Sequence, residues 1–171
     1  MIKKIYFLIC ILFLTTNSFA LIEVDITRGN LDPLPLAVSP LSIDDTSKKN
    51  FEKILKKENI GSEISKIVEN NLKTSGLFNP LNKDSFLQAP DIANLKPRFE
   101  DWSLIKAQAL ITGKVSFINE KLRVEFRLWD VLAAKEMMAL AFTTVPSNWR
   151  RVGHIISAKI YERLTGEKGY F

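Results

Sequence analysis

The pattern of apolar and polar positions divides the chain into a helical half and a strand-rich half. Between residues 51 and 72 apolar side chains recur at steps of three or four, which is typical of helices with one buried face. They are Phe51, Ile54, Leu55, Ile60, Ile64, Ile67, Val68 and Leu72. Gly61 interrupts the run and predicts a break or kink. Gly76, beyond the last turn, predicts where the second helical piece ends.

Residues 109–145 predict an antiparallel meander of three strands, Ala109–Ile118, Leu122–Trp129 and Met137–Val145. In the second strand the even-numbered positions are apolar. The odd-numbered positions 123, 125 and 127 are charged, and the next one is Trp129. One side of this strand should therefore face the helices, and the other should face solvent or a second domain.

Shorter elements surround the meander. Residues 36–38 predict a short extended strand bounded by Pro35 and Pro40, because proline cannot donate a ladder hydrogen bond. The polar, proline-broken stretch 82–97 predicts a surface loop. A short helix should follow from residue 99, with Trp102, Ile105 and Leu104 as candidates for its inward face.

A last helix should begin at Ser147, which is a good N-cap residue, and end at Gly166. Its apolar positions are again spaced by three or four: Trp149, Val152, Ile156, Ile160 and Leu164. The elements together predict an α+β fold, a two-layer mixed sheet with helices packed on one face, over residues 34–171.

The first 20 residues predict a cleaved signal peptide. Met1–Lys4 is basic, Ile5–Leu14 is apolar but too short to span a bilayer, and small residues precede a cleavage point between Ala20 and Leu21. We therefore expect a periplasmic protein. Lipid attachment at Cys10 is the weaker alternative, because Ile9 stands where a small residue is wanted.

Composition narrows the function classes. Cys10 is the one cysteine of the 171 residues, so the mature chain has no disulfide framework. Loss of Lys3 and Lys4 with the leader lowers the net charge from +5 to about +3, too weak a charge to indicate nucleic-acid binding. We expect no nucleic-acid partner and one globular domain.

Candidate catalytic and metal-binding residues are few. A hydrolase using a serine, His154 and a carboxylate stays open, although a packed helix residue is the favoured interpretation of His154. The acidic pairs Asp44-Asp45 and Glu100-Asp101 lack the spacing of a calcium loop and suit helix starts. No glycine-rich phosphate loop occurs. We expect no metal, no cofactor and no small-molecule substrate.

Two further features allow alternative interpretations. Trp102, Trp129 and Trp149 fit core positions better than a stacking platform for bases or sugars. The pair Arg150-Arg151 opposes the dipole at the start of the last helix, which fits either an acidic partner or a solvated face.

The segment "LIEVDIT", Leu21 to Thr27, alternates apolar with polar residues like a strand. It could be a frayed terminus or an edge strand of the domain's own sheet. Alternatively, it could add to the exposed sheet edge of a partner, with its apolar residues filling pockets. The residues alone leave these possibilities open.

Several long stretches, in order, resemble the amino-terminal domain of the TolB family of the Tol-Pal system. They are "KTSGLFNPL" from Lys73, "PRFEDWSLIKAQALITGKV" from Pro97, "LRVEFRLWDV" from Leu122 and "NWRRVGHIISAKIYERLTGEKGYF" from Asn148. The resemblance implies a mixed α/β domain with helices on one face. In the family a six-bladed β-propeller follows, which binds the lipoprotein Pal and bacteriocin peptides, so we expect Pal binding only when a propeller is supplied.

The resemblance also implies a role for residues 21–33, an extended segment that engages the carboxy-terminal domain of TolA or lies against the protein's own body when Pal is bound. The residues expected to contact TolA are Ile22, Glu23, Val24, Asp25, Ile26 and Thr27. The implied function is that of a non-enzymatic periplasmic adaptor for envelope integrity, constriction at cell division and protein import. The alternatives are a truncated, non-functional fragment and a secreted hydrolase using His154.

Overall fold

The computed structural model describes Ile22 and residues 32–171. In this part of the chain six strands form one sheet: β1 (Leu34–Val38), β2 (Ser42–Ile43), β3 (Phe78–Pro80), β4 (Ala109–Ile118), β5 (Lys121–Asp130) and β6 (Lys135–Thr144). The α-helices of the same residues are α1 (Asp45–Leu55), α2 (Ile60–Thr74), α3 (Pro90–Leu95), α4 (Phe99–Leu104) and α5 (Trp149–Thr165).

The sheet is mixed and runs in the order β3-β1-β4-β5-β6, with β2 also paired to β4. β1 is parallel to both of its neighbours, whereas β4, β5 and β6 form an antiparallel meander. The predicted meander is confirmed, and its first strand, β4, has the predicted bounds. The third strand begins at Lys135, two residues before the predicted Met137. The short strand β1 ends at Val38 as predicted but begins at Leu34, so it includes Pro35 instead of starting after it.

The main core lies between the sheet and helices α1, α2 and α5. The even-numbered residues of β5 from Leu122 to Leu128 face this core, as their alternation predicts. Phe51 from α1 and the apolar stripes of α2 and α5 fill it from the helical side. The predicted α+β class is confirmed, because one mixed sheet and one helical layer bury most of the apolar side chains.

A second, smaller cluster lies on the opposite face of the sheet, so the one-sided packing predicted for all helices holds only for α1, α2 and α5. Trp102 of α4 is 1% exposed in this cluster, and Phe86 packs edge-on against its ring at 5.0 Å. Helix α3 falls in the stretch predicted as a loop. Six residues are too few for a helical period to show in the sequence. Leu104, a candidate for the inward face, is exposed.

The break between α1 and α2 lies before Gly61 rather than at it. Lys56 ends α1 in the left-handed conformation, and the Asn59 side chain caps α2 by accepting from the Ser62 amide at 3.1 Å. Gly61 lies in the first turn of α2, where a Cβ would be 2.1 Å from the Leu41 carbonyl oxygen. It is therefore needed for the close approach of the helix to the backbone at Leu41.

The last helix ends as predicted, at Gly166 with a φ of 75°, but Ser147 is not its N-cap. A 3-10 turn, Pro146–Asn148, precedes Trp149, and no side chain caps the helix. Pro146 begins this tighter turn, so Ser147 lies inside the turn rather than at the start of the helix. Over residues 32–171, no helix has both the length and the apolar character needed to cross a bilayer.

Candidate functional site

The candidate site lies at the end of the sheet where β4 begins and β5 stops. Four residues of neighbouring strands are in register there, each opposite the next: Leu36 of β1, Ala109 of β4, Asp130 of β5 and Lys135 of β6. Asp130 is the last residue of β5 and only 1% exposed. A buried carboxylate therefore marks this end of the sheet.

Asp130 joins two separate parts of the chain. Its Oδ1 accepts a hydrogen bond from the Ala133 amide at 2.8 Å, within the turn that leads to β6. Its Oδ2 accepts from the Ile22 amide at 3.2 Å. Ile22 is partly buried and packs against the main core. Ile22 is thus attached to the sheet through the Asp130 side chain, and it belongs to no strand.

Ile22 is the one residue of the predicted TolA contact that the structure describes. Glu23, Val24, Asp25, Ile26 and Thr27 lie outside the described residues, as do the signal peptide and its cleavage point between Ala20 and Leu21. Their roles remain predictions.

Asp130 did not emerge as a site residue from the sequence, although a signal was present. Leu122, Val124, Phe126 and Leu128 form an unbroken apolar face, and Asp130 is the next position on that same face. A carboxylate that continues a buried stripe requires hydrogen-bond donors, because an unpaired buried charge is costly. That need indicates a partner from elsewhere in the chain.

His154 lies in a polar contact between α2 and α5. The Asn71 amide nitrogen is 2.9 Å from His154 Nδ1 and donates to the Ser157 hydroxyl at 3.0 Å. Ser157 is fully buried and donates to the Gly153 carbonyl at 2.9 Å. These contacts give His154 and Ser157 a role in helix packing, the interpretation that the sequence favoured for His154.

The acidic pairs begin helices, as their positions predict. Asp44 is the N-cap of α1: its carboxylate accepts from the Ser47 amide at 2.8 Å and the Ser47 hydroxyl at 2.7 Å. These two hydrogen bonds lower the pKa of Asp44. Glu100 and Asp101 lie in the first turn of α4. Within the described residues, no three acidic, histidine or cysteine side chains are grouped to hold a metal ion.

The tryptophans and the arginine pair also have local explanations. Trp102 and Trp149 are buried, so they fill the core rather than form a stacking platform. Trp129 donates from its indole nitrogen to the Thr112 hydroxyl at 2.9 Å. The Arg150 guanidinium carbon lies 4.4 Å from the centre of the Trp149 ring, a cation–π contact that accounts for one of the two arginines.

The described residues thus define a small α+β domain with a buried carboxylate that accepts a hydrogen bond from the Ile22 amide. Residues 22–137 match the family model of the TolB amino-terminal domain. The Tol-Pal system protein TolB of Pelagibacter ubique (strain HTCC1062) is 77% identical over 166 residues, which cover 97% of this chain and 37% of that protein. The chain belongs to the TolB family.

A solved structure agrees on the fold. The crystal structure of TolB from Acinetobacter baumannii matches with a TM-score of 0.64 at 22% identity, covering 86% of this chain and 32% of that chain. The chain spans about a third of the length of both relatives.

Proposed function

We propose that this chain provides the amino-terminal domain of a non-enzymatic periplasmic adaptor of the Tol-Pal system. The adaptor links the inner-membrane Tol complex to the outer membrane, and serves envelope integrity, constriction at cell division and protein import. The support is the 77% identity to a protein named for that system. Export through a cleaved leader, residues 1–20, belongs to the same proposal.

The TolA contact is proposed for Ile22–Thr27, by addition of this segment to an exposed sheet edge of the TolA carboxy-terminal domain. Strand addition needs backbone donors and acceptors that are not already used in the protein's own sheet. The observation that supports this proposal is at Ile22: its amide donates to the Asp130 side chain at 3.2 Å, and Ile22 belongs to no strand. Releasing one such bond costs about 1.5–3 kcal/mol at most, which partner binding can offset.

Pal is a partner only of a longer protein in this proposal, because the family's Pal site belongs to the propeller. The domain described here then has the task of presenting the amino-terminal segment. Its main core, built from three helices and one face of the sheet, gives that segment a rigid base.

Calorimetric titration with the TolA carboxy-terminal domain tests the proposal. The leader-free chain, Leu21–Phe171, should bind, and a chain lacking Leu21–Thr27 should not. A second variant keeps the full length but replaces Ile22, Val24 and Ile26 by Ser. This removes the apolar face of the segment and should abolish measurable binding. Equal binding by the shortened chain would place the TolA site elsewhere and overturn the assignment.

A further inference from the structure

Strand β6 lies at an edge of the sheet and exposes side chains along it. In the part of the chain that the structure describes, β6 is the last strand of the sheet order and pairs only with β5. The side chains from Ala139 to Ala141 are exposed, and the apolar Leu140 is 38% exposed. The outer backbone edge of such a strand is a template for the addition of another strand.

The usual protection of an edge strand is found only at the start of β6. There a register shift leaves Met137 without a partner on β5, and the Met137 carbonyl accepts from Arg163 Nε at 3.3 Å. Residues 137–145 include no charged residue and no proline, with which proteins commonly block an edge. The strand beyond Met137 is therefore suited to pairing.

A groove lies between this edge and helix α5. Its cavity has a volume of about 240 Å³ and is lined by Phe142, Thr143, Thr144, Asn148, Arg151, Val152 and Ile155. Pockets for drug-sized ligands are larger, about 300–1,000 Å³. The groove instead suits single side chains of a peptide lying along β6, because every second side chain of a strand points to the same face.

The helix side of the groove is positively charged. Four residues recur at steps of four along one side of α5: Arg151, Ile155, Lys159 and Arg163. Arg151 and Ile155 line the groove, and Arg163 contacts Met137, so this side of the helix lies next to β6. Lys159 is paired with Glu162 at 2.8 Å. Three basic residues and one acidic residue thus border an uncharged strand edge.

Arg151 lies where its own helix disfavours a positive charge. It is exposed in the first turn of α5, and the helix dipole opposes a cation there. The neighbouring Arg150 lies over the Trp149 ring, whereas Arg151 lines the groove. Of the two interpretations of the arginine pair, an acidic partner is therefore favoured for Arg151.

We propose that the groove between β6 and α5 is a docking surface for an extended, acidic peptide segment of a partner protein. The peptide adds as a strand to β6 beyond Met137, places an apolar side chain against Phe142 and Ile155, and pairs a carboxylate with Arg151. A second copy of this chain is a poorer occupant, because two-fold pairing of β6 strands would bring two basic sides of α5 together. In this inference the domain receives a strand, whereas in the proposed function it donates one.

Fluorescence anisotropy with the leader-free chain and three labelled peptides tests the proposal. The acidic probe has seven residues in which valine alternates with glutamate. One control probe carries lysine in place of glutamate, and the other is the acidic probe with all backbone amides methylated, which removes its hydrogen-bond donors. We expect the acidic probe to bind at least about tenfold more tightly than either control. Equal binding of the three probes would overturn the proposal.

Two charge reversals in the same turn of α5 locate the contact. Arg151→Glu should weaken binding of the acidic probe by at least about tenfold, whereas Arg150→Glu, with the same change of net charge, should weaken it by less than about threefold. Both variants place an acidic residue at a helix start, where it is favoured, so neither should unfold the domain. Equal effects would show attraction by overall charge alone and overturn the assignment to Arg151.

Amide hydrogen exchange shows where the bound probe lies. The acidic probe should slow exchange in β6 from Ala139 to Thr144 and leave exchange in β3 unchanged. Absence of binding, protection at β3 instead of β6, or a dimer in sedimentation that excludes the probe would each overturn the proposal. Because TolA takes no part in these experiments, this proposal and the TolA assignment can fail independently.

Discussion

Two buried polar side chains, Ser65 and Asp130, differ in where their partners come from. Each is 1% exposed. The Ser65 hydroxyl accepts from the Leu41 amide at 2.9 Å and lies 3.1 Å from both the Ser39 and the Gly61 carbonyl oxygens. All of these partners belong to the folded body. Asp130 takes one donor from its own turn and the other from Ile22, 108 residues away.

The Ser65 contacts therefore stabilise the fold, whereas the contact of Asp130 with Ile22 is one that, in our proposal, a partner can replace. The Ser65 hydroxyl has its hydrogen-bond partners inside the domain, where it joins α2 to the backbone that follows β1. The Asp130 site is completed by a segment that our proposal assigns to a partner as well. Perturbing Ser65 should therefore affect folding alone, whereas perturbing Asp130 should affect the attachment of residues 21–27.

The largest effect on stability is expected for Gly61→Ala, one helical turn before Ser65 in α2. A Cβ at this position would be 2.1 Å from the Leu41 carbonyl oxygen, so α2 must move away from the backbone. We expect the free energy of unfolding to fall by about 3 kcal/mol. Urea unfolding measures it, with Ser62→Ala in the same turn as a control that should change the free energy by less than about 0.5 kcal/mol. A cost no larger than that of the control would contradict the close-packing role of Gly61.

Ser65→Ala should lower the free energy of unfolding by about 1–3 kcal/mol, because the Leu41 amide is left buried without its acceptor. The same loss is expected in a chain that lacks residues 21–27, since the Ser65 contacts lie within the body. Urea unfolding of the two single variants and the combination tests this additivity. A loss that depends on the amino-terminal segment would remove the distinction between the two sites.

The effect of Asp130→Asn, unlike that of Ser65→Ala, should depend on whether residues 21–27 are present. The substitution should lower the free energy of unfolding by about 1 kcal/mol in the leader-free chain, because the charged acceptor of the Ile22 amide is lost. In the chain lacking residues 21–27 the same substitution should cost much less. Thermal unfolding of the four chains measures the coupling, and purely additive effects would argue that Asp130 acts only through its own turn.

Asp44→Ala removes the N-cap of α1 and should cost about 1 kcal/mol at neutral pH. Hydrogen bonds from Ser47 lower the pKa of Asp44 in the folded protein, so the carboxylate stabilises the fold at a pH above its unfolded pKa. This contribution is lost as the pH falls through the folded pKa. The difference between wild type and variant should therefore narrow in acid, and a difference that is constant with pH would refute the role of the charge.

The smallest effect is expected for His154→Ala. Its side-chain hydrogen bond with Asn71 lies at a partly buried helix interface, so we expect the free energy of unfolding to fall by about 0.5 kcal/mol. Binding of the TolA domain should not change, because the variant leaves the amino-terminal segment untouched. Calorimetry and urea unfolding on one preparation measure both quantities. A loss of partner binding with intact folding would give His154 a functional role after all.

The elements that the sequence predicts well are those whose own periodicity determines their burial. The alternation of apolar residues in β5 and their spacing by three or four in α5 predict which face of each element is buried. In the structure both faces lie against the main core. The prediction that Gly61 breaks the helix is wrong. A glycine is needed there because the backbone of Leu41, 20 positions earlier in the sequence, approaches the helix closely. Helix α3 is missed because it is short and is held by contacts around Trp102.

The candidate site was predictable only in part. The alternation of residues 22–27 predicts a strand-forming segment, and the structure describes one of these residues, Ile22, in a hydrogen bond with a side chain. Its acceptor, Asp130, is far away in sequence, and only the folded sheet brings the two together. The charged residue at the end of an apolar stripe indicates that a partner is needed, yet it carries no information on which residue supplies it.

Amide hydrogen exchange at Ile22 tests most directly the claim that the amino-terminal segment is held at Asp130. In the leader-free chain the Ile22 amide should exchange more slowly than in a free peptide of residues 21–27, and Asp130→Asn should restore the peptide rate. Protection that is absent from the leader-free chain, or that survives Asp130→Asn unchanged, would contradict the account.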